Sequence, residues 1–175
     1  MQIADWQKLS EEPLYHGYRT LEKWTYALPT GITIGYEIKI EGTPVCVLPL
    51  TDQNTIILAK QFRPGPQKVL LELPGGGRET GETSLEAIQR ELLEETGFCG
   101  EFTHIGTSLA DAYSTLVRDN FVATHCRKIQ EPQNHVREPI EVVEISLAEF
   151  RAQLSRGELT DGITGYLGLD YLNLL

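Results

Sequence analysis

From Ile32 through Thr33, Ile34, Gly35, Tyr36, Glu37, Ile38, Lys39, Ile40 and Glu41 the chain alternates apolar and polar residues, the period of two that buries one face of a strand. Thr43-Pro44 breaks the pattern. Residues 45–50 and 55–62 then read as two strands joined by a turn at Asp52-Gln53-Asn54, with a shorter strand over 69–73. Pro74-Gly75-Gly76-Gly77 reads as loop. The period then changes to that of a helix. Leu85, Ile88 and Leu92 form an apolar stripe, Thr83-Ser84-Leu85-Glu86 is a capping box, and Gly97 supplies a left-handed stop, which together predict a helix over 84–96. Strands are predicted over 101–109, 121–128 and 140–145. Ser146-Leu147-Ala148-Glu149 is a second capping box, opening a helix that Gly157 closes, and Thr160 is the expected cap of a last helix toward Leu172. Strands and helices do not strictly alternate, so the expected class is α/β of the α+β kind: a mixed sheet with helices on its faces, preceded by a small N-terminal sheet.

Length and composition narrow the class of function. A chain of 175 residues with 41% hydrophobic and 23% charged positions suits one well-filled soluble domain. No apolar run reaches the roughly 20 residues of a spanning helix, so no membrane partner is expected. The start, MQIADWQKLSEEP, lacks the basic end and apolar core of a secretory leader. Lys and Arg number 15 against 25 Asp and Glu, a formal charge of −10 that repels polyanions and argues against nucleic acid as a partner. Cys46, Cys99 and Cys126 show neither CxxC nor zinc-type spacing, and His16, His104, His125 and His135 lack ligand spacing. Reduced cysteines and structural histidines in a cytoplasmic protein are the expectation.

The predicted helix 84–96 raises a problem of its own. Glu91, Glu94 and Glu95 fall within an arc of about 100°, and like charges at such spacing repel. Either the arc is a solvated face, or a positive group belongs among the acids. Hard carboxylate oxygens suit Mg²⁺, with Mn²⁺ as a substitute.

The frame around the acids decides between these. Gly76, five residues, Glu82, seven residues, Arg90-Glu91, Leu92, Leu93, Glu94-Glu95, Thr96, Gly97 and Phe98 match at every specified position the signature G-x5-E-x7-R-E-U-x-E-E-x-G-U, with U apolar. At roughly 7% usage per specified residue, chance would produce this in well under about one in a million chains. The pattern resembles the Nudix hydrolases. That resemblance implies an α/β/α sandwich and metal-dependent cleavage of a nucleoside diphosphate linked to another group. It implies Glu91, Glu94 and Glu95 as catalytic metal ligands, joined by the Gly75 carbonyl, with Arg90 and Glu82 bracing the loop against the helix. Glu138 matches the region where family members hold a mobile catalytic glutamate, for which Glu131 or Glu141 are alternatives.

Flanking segments resemble the ADP-ribose and ADP-sugar pyrophosphatases within that family: Leu28-Pro29-Thr30-Gly31, Gln61-Phe62-Arg63-Pro64, Glu72-Leu73-Pro74-Gly75-Gly76, and Glu138-Pro139-Ile140-Glu141-Val142-Val143, with Gly157 and Asp161 further on. The implied substrate is a small-molecule nucleotide sugar, ADP-ribose or an ADP-sugar, split to AMP and a sugar phosphate. One departure bears on it: Tyr113-Ser114-Thr115-Leu116 stands where ADP-ribose pyrophosphatases often carry Ser-Pro-Gly. GDP-sugars, dinucleoside polyphosphates and NADH are therefore alternatives, as is a non-catalytic sensing domain. Arg63 and Arg78 suit phosphate or ribose oxygens, Arg63 having a surface ion pair near Glu72 as its competing role. Glu72 is placed with the substrate-binding residues. Trp24 and Tyr36 suit either stacking on adenine or packing in a core or dimer interface. The related enzymes pair their N-terminal strands across a two-fold axis, and an unpaired period-two strand over 32–40 is a hazard by itself, so residues 1–42 are expected to form a homodimerising β region and 43–175 the hydrolase domain.

Overall fold

A computed structural model describes residues 5–133 and 139–175. Glu138 and His135 lie outside the described residues. The chain divides into two compact units, Met1–Thr43 with Leu109–Val117, and Pro44–Ser108 with Arg118–Leu175.

The first unit is an antiparallel sheet of β1 (Gln7–His16), β2 (Thr20–Ala27) and β3 (Thr33–Ile40), in that order. β1 is an edge strand with register shifts at Lys8/Ser10 and Pro13/Tyr15, the place where a strand tolerates proline. Trp24 and Tyr36 are direct cross-strand partners. Both rings are already engaged within this unit. Lys8 Nζ lies 3.5 Å from the Trp24 ring centroid, and Tyr36 stacks on Trp6 and on Tyr113 at 5.9 Å between centroids in each case.

The second unit is built on a mixed sheet. Its strands are β4 (Val45–Thr51), β5 (Thr55–Arg63), β6 (Lys68–Glu72), β7 (Gly75–Gly76), β8 (Phe98–Leu109), β9 (Val117–Lys128) and β10 (Glu141–Ser146). The order is β10-β5-β4-β9-β8, with β6 on β5 and β7 on β4. β4 pairs with β9 in parallel and with β5 antiparallel. Alternation along the strands sends Val45, Val47, Ile57, Phe121 and Ala123 to one face, where Ala87, Ile88 and Leu92 of α1 (Ser84–Thr96) cover them. Cys46, Leu48, Ile56, Leu58 and Val122 point the other way, onto Phe150 and Leu154 of α2 (Leu147–Ser155) and Leu169 of α3 (Gly162–Tyr171). The result is three layers, with helices on both faces of one sheet.

Four local expectations are corrected. Leu85 is exposed, and Ala87 and Thr96 take its place on the buried side of α1. The glycine run is not all loop, since Gly75 and Gly76 pair with Cys46 and Val45; a Cβ at Gly75 would collide with the Val45 carbonyl, so only glycine comes this close. Asp161, not Thr160, is the N-cap of α3, and it makes no side-chain capping bond. β8 and β9 begin at Phe98 and Val117, ahead of the apolar runs that revealed them.

Candidate active site

The acids are positioned by a helix whose ends are locally fixed. Thr83 Oγ1 accepts from Glu86 N–H while Glu86 accepts from Thr83 N–H, and Gly97 closes the helix at φ 78. Burial of Ile88 and Leu92 then fixes the rotation of α1, turning Glu91 and Glu95 toward the β4–β7 pair. Gly75 N–H donates to Glu95 Oε2 at 3.1 Å, and a Cβ at Gly76 would run into the Glu91 carboxylate. The double glycine therefore admits two carboxylates against a strand backbone.

Arg90 organises the rest. Its Nε and Nη2 grip the two oxygens of Glu82 at 2.9 and 3.0 Å, and Nη2 also donates to the Gly77 carbonyl at 3.0 Å. Loop and helix are thereby clamped, as the signature implied. Nη1 meets Glu91 Oε1 at 2.9 Å and Glu94 Oε2 at 3.5 Å. These contacts, led by Glu82, raise the Arg90 pKa further, so it stays charged.

Glu95 differs from its neighbours. Burial, reinforced by the Glu91 charge, raises its pKa to about 8 in spite of the Gly75 hydrogen bond. Burial also raises the Glu91 pKa, against the opposing pull of Arg90. Among the described residues no set of three His, Cys, Asp or Glu side chains converges as a ready metal site. The donor chemistry nevertheless fits a hard divalent cation: Glu91 and Glu94 already converge on one cationic nitrogen, and Glu95 is a shielded carboxyl that no contacting cation balances among the described residues.

Arg63 ends β5 beside this cluster, and its Nε donates to Glu72 Oε2 at 2.5 Å. Glu72 is only 1% exposed, and its other oxygen accepts from Thr160 Oγ1, so its carboxylate serves Arg63 rather than open solvent. Arg78 is exposed in the loop, with Nη1 3.5 Å from Ser84 Oγ. The alternatives to Glu138 are both paired on the surface, Glu131 with Lys128 at 2.9 Å and Glu141 with Lys60 at 2.8 Å. Trp24 and Tyr36 belong to the other unit. Sequence reading passed over Arg118, which forms an ion pair with Asp161 at 2.8 Å; no local motif marks it.

A profile of the NUDIX domain matches residues 41–161, most of the chain. The chain belongs to the Nudix family. As a Nudix hydrolase it cleaves pyrophosphate bonds, which are acid anhydrides, in nucleotide-linked substrates. It is 30% identical over 155 residues to the ADP-ribose pyrophosphatase of Bacillus subtilis (strain 168), spanning 84% of this chain and 80% of that one. It is 39% identical over 104 residues to the ADP-sugar pyrophosphatase of Mus musculus, spanning 53% and 48%. The crystal structure of an ADP compounds hydrolase superposes with a TM-score of 0.81 over 100% of both chains at 21% identity, a likeness of fold. No helix among the described residues is long and apolar enough to cross a membrane.

Proposed function

We propose that this Nudix hydrolase is a Mg²⁺-dependent nucleotide-sugar pyrophosphatase, acting on ADP-ribose or an ADP-sugar to give AMP and a sugar phosphate, with Mn²⁺ able to replace Mg²⁺. Glu91, Glu94 and Glu95, with the Gly75 carbonyl, would hold the ion, which when bound neutralises phosphate oxygens and activates water. Arg90 keeps the Gly77 loop against α1, so the acids stay beside β7. Arg63, fixed through Nε by Glu72, has its remaining N–H groups to offer a phosphate oxygen, and Arg78, exposed in the loop with a long contact to Ser84 Oγ, can approach another. The observation that carries the reading is Glu95: a carboxyl pressed against the Gly75 amide, its pKa raised by burial, beside two acids that share one arginine. The likeness to the Bacillus subtilis and mouse enzymes supports the nucleotide-sugar class.

A second reading, hydrolysis of another nucleoside diphosphate derivative such as a GDP-sugar, a dinucleoside polyphosphate or NADH, is favoured by the Tyr113-Ser114-Thr115-Leu116 segment. A non-catalytic sensor is disfavoured because every signature acid is present. Incubating the protein with Mg²⁺ and ADP-ribose, ADP-glucose, GDP-mannose, diadenosine polyphosphates and NADH, followed by mass spectrometry, separates the three. AMP with ribose 5-phosphate or glucose 1-phosphate is the expected product pair. Glu94→Gln should lower turnover at least ~100-fold. Recovery of every compound intact would remove the enzymatic reading.

A further inference from the structure

We propose that Arg118, held by Asp161, is a second guanidinium contact for the substrate's phosphate oxygens, on the strand flanking β4 opposite that of Arg63. The topology brings both arginines to one end of the sheet. β5 runs antiparallel to β4 but parts from it after the Leu50–Ile56 pair to pair with β6, Arg63 facing Lys68, while β7 takes the start of β4; β9 runs parallel to β4, and Val45 pairs with Asp119, the residue after Arg118. Val45 and Cys46 are also the partners of Gly76 and Gly75. Arg118 leaves β9 on the face that carries Cys46 and α3, and at this end of the sheet it is linked to Arg63 through Asp161, Thr160 and Glu72. Cys46 feels the charges of Asp161, Arg118 and Glu95 together, which sets these groups around one point of the sheet.

The arginines are held alike. Each has one charged partner among the described residues, Glu72 for Arg63 and Asp161 for Arg118, and Thr160 Oγ1 donates to Glu72 while lying 3.2 Å from Asp161 Oδ2. The Arg118 and Asp161 side chains are only 20% and 15% exposed. A pair so shielded adds little net stability, but it aims a guanidinium and leaves most of its donors unused. Arg90 is spent on Glu82, Gly77, Glu91 and Glu94, whereas Arg63 and Arg118 keep N–H donors that have no partner among the described residues.

This inference rests on the site taking an organic diphosphate, and the experiment separates the two. Wild type, Arg118→Ala, Arg118→Lys and the double variant Arg118→Ala/Asp161→Ala are assayed with Mg²⁺ on the substrate-panel member that wild type cleaves fastest. The folded state of each is checked by near-ultraviolet circular dichroism. The double variant removes both charges, so no buried acid is left unpaired. Both alanine variants should raise KM about 10- to 100-fold, the loss expected for a charge-assisted hydrogen bond, and Arg118→Lys should recover part of it. A folded double variant with KM and kcat within twofold of wild type would overturn the role of Arg118. A wild type inactive on the whole panel would instead overturn the functional reading beneath it.

Discussion

Glu95 has a pKa moved by burial from its ordinary 4.5 to about 8, so near neutral pH the metal-free site holds a proton there for much of the time. The folded protein then binds more protons than the unfolded chain between those two values. Stability contributed by this group is therefore fullest near the lower value and declines as pH rises toward the upper one. A cation at the site must displace that proton, so its binding tightens over the same window. Thermal unfolding in EDTA across pH 5 to 8 should show a falling midpoint that flattens in Glu95→Gln, and saturating Mg²⁺ should restore the wild-type midpoint most at the alkaline end. A Glu95→Gln profile parallel to wild type in EDTA would show that the proton resides elsewhere.

At the scale of elements, the β4–β7 pair and α1 meet through two glycines with different tasks. At Gly76 the group in the way of a side chain is the far end of Glu91, which can swing aside. Gly76→Ala should leave the unfolding midpoint nearly unchanged while weakening Mg²⁺ binding about tenfold, as expected when a ligand loses its aim. At Gly75 the obstacle is the Val45 carbonyl, which cannot swing, and Gly75→Ala should cost about 1–3 kcal/mol of stability, measurable by urea unfolding. Equal effects on stability would refute the distinction. Which elements the sequence announces follows from the same contrast between local and distant causes. α1 and α2 were legible to the residue at their starts because Thr83 and Glu86, or Ser146 and Glu149, satisfy each other's backbone within one turn. The clamp of Arg90 on Glu82 was legible because the signature fixes both. β7 was not, since its strand character comes from Val45 and Cys46 far back in the chain, and β1 was obscured by Pro13 and a polar run that only an edge strand accommodates. Arg118 and Asp161 meet only after folding, so nothing in the spacing of either one betrays the pair.

For the whole molecule, β1 leaves one question of assembly. Every residue of β1 is exposed, including Leu9, Leu14 and Tyr15, and among the described residues no strand pairs with its outer edge. A second copy covering that edge would remove the hazard, and light scattering of the pure protein should then give about twice the 19.6 kDa chain mass. A mass of one chain at micromolar concentration would remove the dimer. The parallel pairing of β4 with β9 has a different consequence. β5 to β8 and α1 lie between those strands in the chain, so joining them closes a long loop before any ladder bond is gained. The capped helix α1 and the hairpin of β4 and β5 rest on local contacts, whereas the Arg118–Asp161 pair joins residues far apart in the chain and needs that closure. The Arg118–Asp161 pair is therefore expected to form late in refolding, with the closure of β9 onto β4, and its loss to speed unfolding more than it slows folding.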